Sequence, residues 1–212
     1  MLEKIEYTLL RPNAHQADFE KLVDTAMDFS VAGVCLPPWW VKMARRHLGI
    51  SKTRLVTVVG FPFGYEKSHV KLEEVSDVLE DGADEVDLVM NISAFKTGML
   101  SWVKPEIAKA AAMCHEGEKL LKVIIETAYL SEEEIITASK MCMDAGVDFL
   151  KTSTGYAPEG AKVSIIELIR KTVGHRAYIK ASGGIKTKDF ALSLIEAGAD
   201  RIGTSSHPEV FA

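Results

Sequence analysis

EDGADEVDLV (residues 80–89), DAGVDFLKTS (144–153) and EAGADRIGTS (196–205) are three copies of one junction. Each ends a helix-like stretch with glycine, which fits the left-handed backbone position that closes a helix. Each then gives an acidic residue and an apolar run of strand length. A junction used this often predicts one supersecondary unit repeated along the chain. Outward from these copies, eight strand-like runs can be read: IEYTLL (5–10), VAGVCL (31–36), LVTVVGF (55–61), EVDLVMN (85–91), LKVIIET (121–127), FLKTST (149–154), AYIKASGG (177–184) and RIGTSS (201–206). Between them lie amphipathic stretches such as HQADFEKLVDTAMDFS, HVKLEEVSDVLEDG, SEEEIITASKMCMDAG and KTKDFALSLIEAG. Strands alternating with helices point to a parallel sheet covered by helices. Eight such units in 212 residues predict an α/β chain forming a single-domain (β/α)8 TIM barrel over residues 1–212, near the short end of that fold's range. A doubly wound open sheet is the structural alternative, but no GxGxxG follows a strand, so its fingerprint is missing.

The composition narrows the partners. Apolar residues make up 47% of the chain, charged residues 26%, and the formal net charge is −5. That balance leaves no basic footprint for nucleic acid, so small molecules or other copies of the chain, as a homo-oligomer, are the expected partners. Charges fall within the first six residues of MLEKIEYTLLRP, and no apolar run is long enough for a signal peptide or a membrane span; no membrane partner is expected and a cytoplasmic location is the default. Cys35, Cys114 and Cys142 are widely spaced and form no CxxC, and none of the six histidines makes an HxxxH or HExxH pair. Neither a disulfide framework nor a metal site is therefore expected, and no cofactor is called for.

Side chains alternate along a strand. If Lys151 faces the barrel interior, Phe149 and Ser153 go with it, and the same count groups Tyr178, Lys180 and Ser182. Elsewhere it yields Glu6, Thr8, Cys35, Asp87, Asn91, Lys122 and Glu126 as inward residues. Barrel interiors are usually filled by Val, Ile and Leu, so this polar set is out of place in a purely structural core. A buried charge without a partner costs several kcal/mol or is neutralised. Lys122 with Glu126 reads as well as a self-satisfied ion pair as it does a chemical pair. Lys151 and Lys180 differ, since both precede glycine turns at the end of a barrel where chemistry sits. An amine attacks only when uncharged, and desolvation or a neighbouring ammonium favours that form. Two lysines from adjacent strands are an arrangement that makes one neutral amine, and the natural reaction is a Schiff base with a carbonyl substrate.

STG (153–155), SGGI (182–185) and GTSS (203–206) close three consecutive strands with small residues. Their N–H groups can approach an anion, and barrels commonly bind phosphate near the last two strands. Gly155, Gly183, Gly184, Gly203, Ser205 and Ser206, with the charge of Lys186, form the expected cradle.

In order along the chain, YTLLRP, GVCLPPWWV, VVGFPFG, GADEVDLVMN, LKVIIET, GVDFLKTSTGY, IKASGGI and AGADRIGTSS resemble the blocks of the deoxyribose-phosphate aldolases. DFLKTSTG (148–155) is the most specific of them. The resemblance implies that Lys151 is the Schiff-base lysine, that Lys180 perturbs it and that Asp87 joins a proton relay. It also implies reversible, metal-free cleavage of 2-deoxy-D-ribose 5-phosphate to D-glyceraldehyde 3-phosphate and acetaldehyde. Two positions depart from the family: Glu6 stands where Asp is usual and Pro37 where Asn is usual, so either could alter hydroxyl recognition. The chain stops at Val210-Phe211-Ala212 without the C-terminal tyrosine that some members use, and a water held by Asp87 and Lys180 is expected in its place. A Schiff-base barrel enzyme for another sugar phosphate or keto acid, and a non-catalytic sugar-phosphate binder, are the competing readings.

Other features read as structure. Ser131 before Glu132-Glu133-Glu134 is a capping box. Of Trp39 and Trp40, one is expected in the core and one at the surface, where it could sit at a subunit contact. Cys35 reads as a small core residue, and His207, beside Pro208, reads more readily as a solvated tail residue than as a group that reaches the phosphate mouth.

Overall fold

The computed structural model describes all of residues 1–212. Eight parallel strands close into a barrel in sequence order: β1 (Ile5–Thr8), β2 (Gly33–Leu36), β3 (Arg54–Val59), β4 (Glu85–Val89), β5 (Leu120–Ile124), β6 (Phe149–Lys151), β7 (Tyr178–Ser182) and β8 (Arg201–Thr204). The helices are α1 (Gln16–Asp28), α2 (Val41–Leu48), α3 (Ser68–Glu80), the short α4 (Ile92–Lys96), α5 (Leu100–Glu116), α6 (Glu132–Asp144), α7 (Val163–Val173) and α8 (Lys188–Glu196). β8 leads into a single 3₁₀ turn, Pro208–Phe211.

The main core is the layer between barrel and helices, a cluster of 48 buried apolar residues. Inside the barrel the apolar cluster is confined to Cys35, Val56 and Val58 on β2 and β3, packed by Leu10 and Phe61. Phe149 of β6 also faces the interior, its ring lying beside Lys122 and Arg201, and much of the remaining interior is polar and charged. Cys35 is thus the small core residue the sequence suggests, and burial pushes its thiol up.

The repeated junction has a physical role at the bottom of the barrel. Its glycines, Gly82, Gly146 and Gly198, all take positive φ. The acids that follow accept the first N–H groups of the neighbouring strand: Asp84 from Leu55, Asp148 from Leu121 and Asp200 from Ile179, at 2.8–2.9 Å. Each acid also meets a basic side chain from the helix before that strand, Arg45, His115 or Arg170. The motif therefore ties β3 to β4, β5 to β6 and β7 to β8, each time with the preceding helix.

Strands end earlier than the apolar runs. Asn91 lies beyond β4, where its side chain accepts the Ala94 N–H and caps α4, so it is not an inward barrel residue. Glu126 lies beyond β5 in a left-handed conformation (φ 50°, ψ 71°) and bonds Thr154. The expected Lys122–Glu126 pair does not form, because the alternation that joins them stops at Ile124. Ser131 makes the reciprocal capping box with Glu134. Trp40 stacks on Phe19 with centroids 4.9 Å apart while Trp39 is 86% exposed.

Candidate active site

Strand register sets the site. Lys151 on β6 stands opposite Lys180 on β7, and Asp87 on β4 opposite Lys122 on β5. All four side chains turn inward and are buried. Asp87 is the hub. Its Oδ2 accepts from Lys151 Nζ at 2.8 Å and from Lys180 Nζ at 2.7 Å, and its Oδ1 accepts from Lys122 Nζ at 3.0 Å. Lys180 also donates to Glu6. Below this layer Lys122 pairs with Glu85 at 2.5 Å, and Arg201 lies 3.8 Å from Glu6 and 3.9 Å from Glu85.

These contacts fix the charges. Burial pushes the Asp87 carboxyl up, but the ammonium groups of Lys122, Lys151 and Lys180 overcome it and hold the group well below the usual carboxylate range. Burial likewise raises Glu6, and Lys122 and Lys180 bring it down to a net lowering. Lys180 and Lys122 are pulled down by burial and carried above the usual lysine range, Lys180 by Asp87 and Glu6, Lys122 by Asp87, Glu6 and Glu85. Glu6, Glu85 and Asp87 are three anions. Lys122, Lys180 and Arg201 are three buried or nearly buried cations that balance them. Arg54 reaches Glu85 from the exposed rim.

Above the charged layer opens a cavity of about 650 Å³. Lys151 and Lys180 line it, whereas Asp87, Glu6, Lys122 and Cys35 do not. Lys122 therefore lies on the far side of Asp87 from the cavity, as a structural partner. Thr8 lines the cavity with its hydroxyl bonded to the Glu6 carbonyl. Neither of the two departing residues lines the cavity: Glu6 points into Lys180, and Pro37 caps the 3₁₀ turn before α2.

The cradle residues Gly155, Gly183, Gly184, Lys186, Gly203 and Ser205 also line the cavity. The N–H groups of Gly155, Gly183, Gly184 and Ser205 have no acceptor within the chain. Gly183 and Gly184 adopt φ of 88° and 76°, a pair of left-handed residues that only glycine takes without strain. At Gly203 a Cβ would come within 2.9 Å of Lys180 Cε, so glycine there also makes room for the lysine stem. Ser206 does not line the cavity, and its N–H is taken by Thr204 Oγ1 at 3.0 Å. His207 stays 46% exposed, yet it lines the cavity and packs edge-on against Phe29 and Tyr7. Ser182 donates its hydroxyl to the Ser153 carbonyl at 2.6 Å and its N–H to the Thr152 hydroxyl at 3.1 Å, stitching β7 to the end of β6. No group of three or more His, Cys, Asp or Glu side chains is placed to hold a metal ion.

Sequence reasoning missed several contributors. Glu85 and Arg201 complete the charged layer, and strand alternation could have found Glu85, which lies two residues before the inward Asp87, and Arg201, which lies two before the cradle residue Gly203. Arg11, Lys21 and Tyr156 enter the cavity from the top of the barrel, where no periodicity marks them.

The chain compares closely with known proteins. The sequence profile of the DeoC/LacD family aldolases matches residues 6–206. A deoxyribose-phosphate aldolase of Caldicellulosiruptor saccharolyticus is 48% identical over 203 residues, covering 95% of this chain and 92% of that protein. One of Thermococcus gammatolerans is 46% identical over 204 residues, covering 95% and 91%. Among solved structures, the aldolase QR15 superposes with a TM-score of 0.94 at 39% identity over 99% of this chain and 93% of that one. A deoxyribose phosphate aldolase from Aeropyrum pernix, described as a unique tetramer, gives 0.93 at 30% identity over 99% and 88%. With its barrel, its shared-carboxylate lysine pair and these matches, the chain belongs to the DeoC/LacD family of aldolases.

Proposed function

We propose that this enzyme is a class I aldolase that reversibly cleaves 2-deoxy-D-ribose 5-phosphate to D-glyceraldehyde 3-phosphate and acetaldehyde through a Schiff base on Lys151. The observation that carries the reading is one lysine at the floor of a cavity, 2.8 Å from a carboxylate shared with a second, fully buried lysine. Lys151 and Lys180 both reach Asp87 and the cavity, but Lys180 is also held by Glu6, whereas Asp87 is the one hydrogen-bond partner of Lys151. The Lys151 amine attacks the C1 carbonyl with loss of water, and the protonated imine then accepts the electrons released when the C2–C3 bond breaks and the C3 hydroxyl gives up its proton. Asp87 and the Lys180 ammonium, which meet at 2.7 Å, hold and return protons at the imine carbons, directly or through a water. The unpaired amides of Gly155, Gly183, Gly184 and Ser205, with Lys186, take the 5-phosphate.

Borohydride reduction in the presence of substrate, followed by peptide mass mapping, tests the assignment. The reduced fragment is expected on Lys151; label on Lys122 or Lys180 instead overturns it. Retained activity after exhaustive chelation is also expected, and loss restored by a divalent metal would place the enzyme in another mechanistic class. Removal of the phosphate should lower kcat/KM steeply, since the cradle would help orient the reacting carbon.

The reading carries two further expectations. No helix is long and apolar enough to cross a membrane, which supports a cytoplasmic enzyme. Exposed Trp39 and Trp102 supply apolar surface for a homo-oligomer, which light scattering would detect.

A further inference from the structure

Glu126 is a residue that the mechanism leaves unused. It is 2% exposed, has positive φ without being glycine, and does not line the cavity. Such a backbone conformation persists only where its surroundings over-determine it. One carboxylate oxygen, Oε2, accepts both the N–H of Thr154, at 3.1 Å, and the Thr154 hydroxyl. The other, Oε1, is buried with no hydrogen-bond partner. All of the carboxylate's hydrogen bonds therefore go to one residue of the β6–α7 turn.

Thr154 passes the constraint on. Its Oγ1 accepts the N–H of Tyr156 at 3.0 Å, and the Tyr156 hydroxyl donates across the barrel mouth to the Leu10 carbonyl at 2.9 Å. The Tyr156 ring also stands edge-on to Phe61, with centroids 5.4 Å apart. Gly155, whose N–H has no acceptor within the chain, lies between the two constrained residues. The direction in which that amide points is thus set by what holds Thr154 and Tyr156.

We propose that Glu126 is a positioning residue that fixes the turn Thr154–Tyr156 in the form that receives the substrate's phosphate arm. The inference rests on the aldolase reading. Glu126 acts through Thr154 and touches neither the reacting carbon nor Lys151 Nζ. Its loss should therefore weaken recognition of the phosphorylated sugar far more than imine formation with a small aldehyde that carries no phosphate.

The test compares wild type, E126A, E126Q and T154V in two assays: KM and kcat for 2-deoxyribose 5-phosphate, and borohydride trapping of acetaldehyde on Lys151. In E126A and T154V, KM should rise by about tenfold or more while trapping slows by less than about threefold, the split expected when charge-assisted bonds to a binding turn are lost. E126Q keeps an acceptor oxygen and should fall between E126A and wild type. If E126A does not fold, T154V, which keeps the side chain's shape, carries the test. Trapping and turnover falling together, or KM unmoved in the variants that fold, overturns the proposal. A wild-type protein that traps no acetaldehyde would instead overturn the aldolase reading.

Discussion

The chain buries lysines in two places, inside the barrel and behind it. Behind the barrel, Lys71 of α3 is fully buried and donates to the Gly64 carbonyl at 3.0 Å, the Val89 carbonyl at 2.8 Å and Glu106 at 2.5 Å. Its three ammonium protons have three acceptors, and one carboxylate serves it alone. Inside, Lys151 donates only to Asp87, whose carboxylate is already engaged by Lys122 and Lys180, and its amine opens on the cavity. Burial is common to both sites. What separates them is saturation and access: a lysine with every proton bonded and no cavity ties β4 and the β3–α3 loop to α3, while one with a shared partner and an open side is placed to react.

The comparison breaks most sharply at Lys151. Lys151→Met should lower turnover by about 10⁴-fold or more, the scale on which loss of a covalent nucleophile acts, with the unfolding transition still cooperative. Lys71→Met should do the reverse. Removing one partner of a buried pair leaves the Glu106 charge uncompensated, at a cost of about 3–5 kcal/mol, measurable by urea unfolding, while the folded fraction still traps aldehyde on Lys151. Residual turnover near wild type in the first variant, or loss of trapping in the folded second, would erase the distinction. Asp87→Asn lies between them. It keeps the shape of the hub and removes its charge, so kcat should fall by about 10²–10⁴-fold, the range for a positioned acid–base group, and labelling should persist at Lys151.

Much of this was legible because the chemistry sits on strands. Alternation from Lys151 and Lys180 locates the reactive layer, and the repeated Gly-x-Asp junction gives the barrel because each copy ties two strands to a helix. The reading failed where strands stop. Asn91 and Glu126 continue the alternation on paper, yet they belong to loops where the barrel opens and backbone direction is set by caps and side-chain bonds. Lys71 went unread although the signal was present: with Val75 and Val78 it occupies the buried stripe of α3, as Glu106 does with Val103 and Ile107 on α5. A charge in each of two facing apolar stripes marks a buried pair. The cavity residues Arg11 and Lys21 left no such mark, because their approach to the site is created by closure of β1 against β8.

The smallest expected effect concerns acid stability. Asp87 and Glu6 are buried carboxylates whose folded pKa lies below the ordinary value, because the surrounding lysines outweigh the effect of burial. A group with a lowered folded pKa contributes stability that is present above its unfolded pKa, about 4 for these side chains, and is lost as pH falls through the folded value. Each pKa unit of lowering is worth about 1.4 kcal/mol. The wild-type unfolding free energy should therefore fall steadily as pH drops below about 4. Lys122 and Lys180 have the opposite shift, so their contribution is intact throughout this window and is lost only on the alkaline side. Asp87→Asn removes one titrating carboxylate, so its unfolding free energy, although lower at neutral pH, should decline less steeply with acid and approach the wild-type curve. Urea titrations from neutral to acid pH read the two slopes directly. Parallel curves would mean that the acid sensitivity lies in the half-exposed junction acids at the bottom of the barrel, Asp84 among them, and that the reactive layer is held by packing more than by charge.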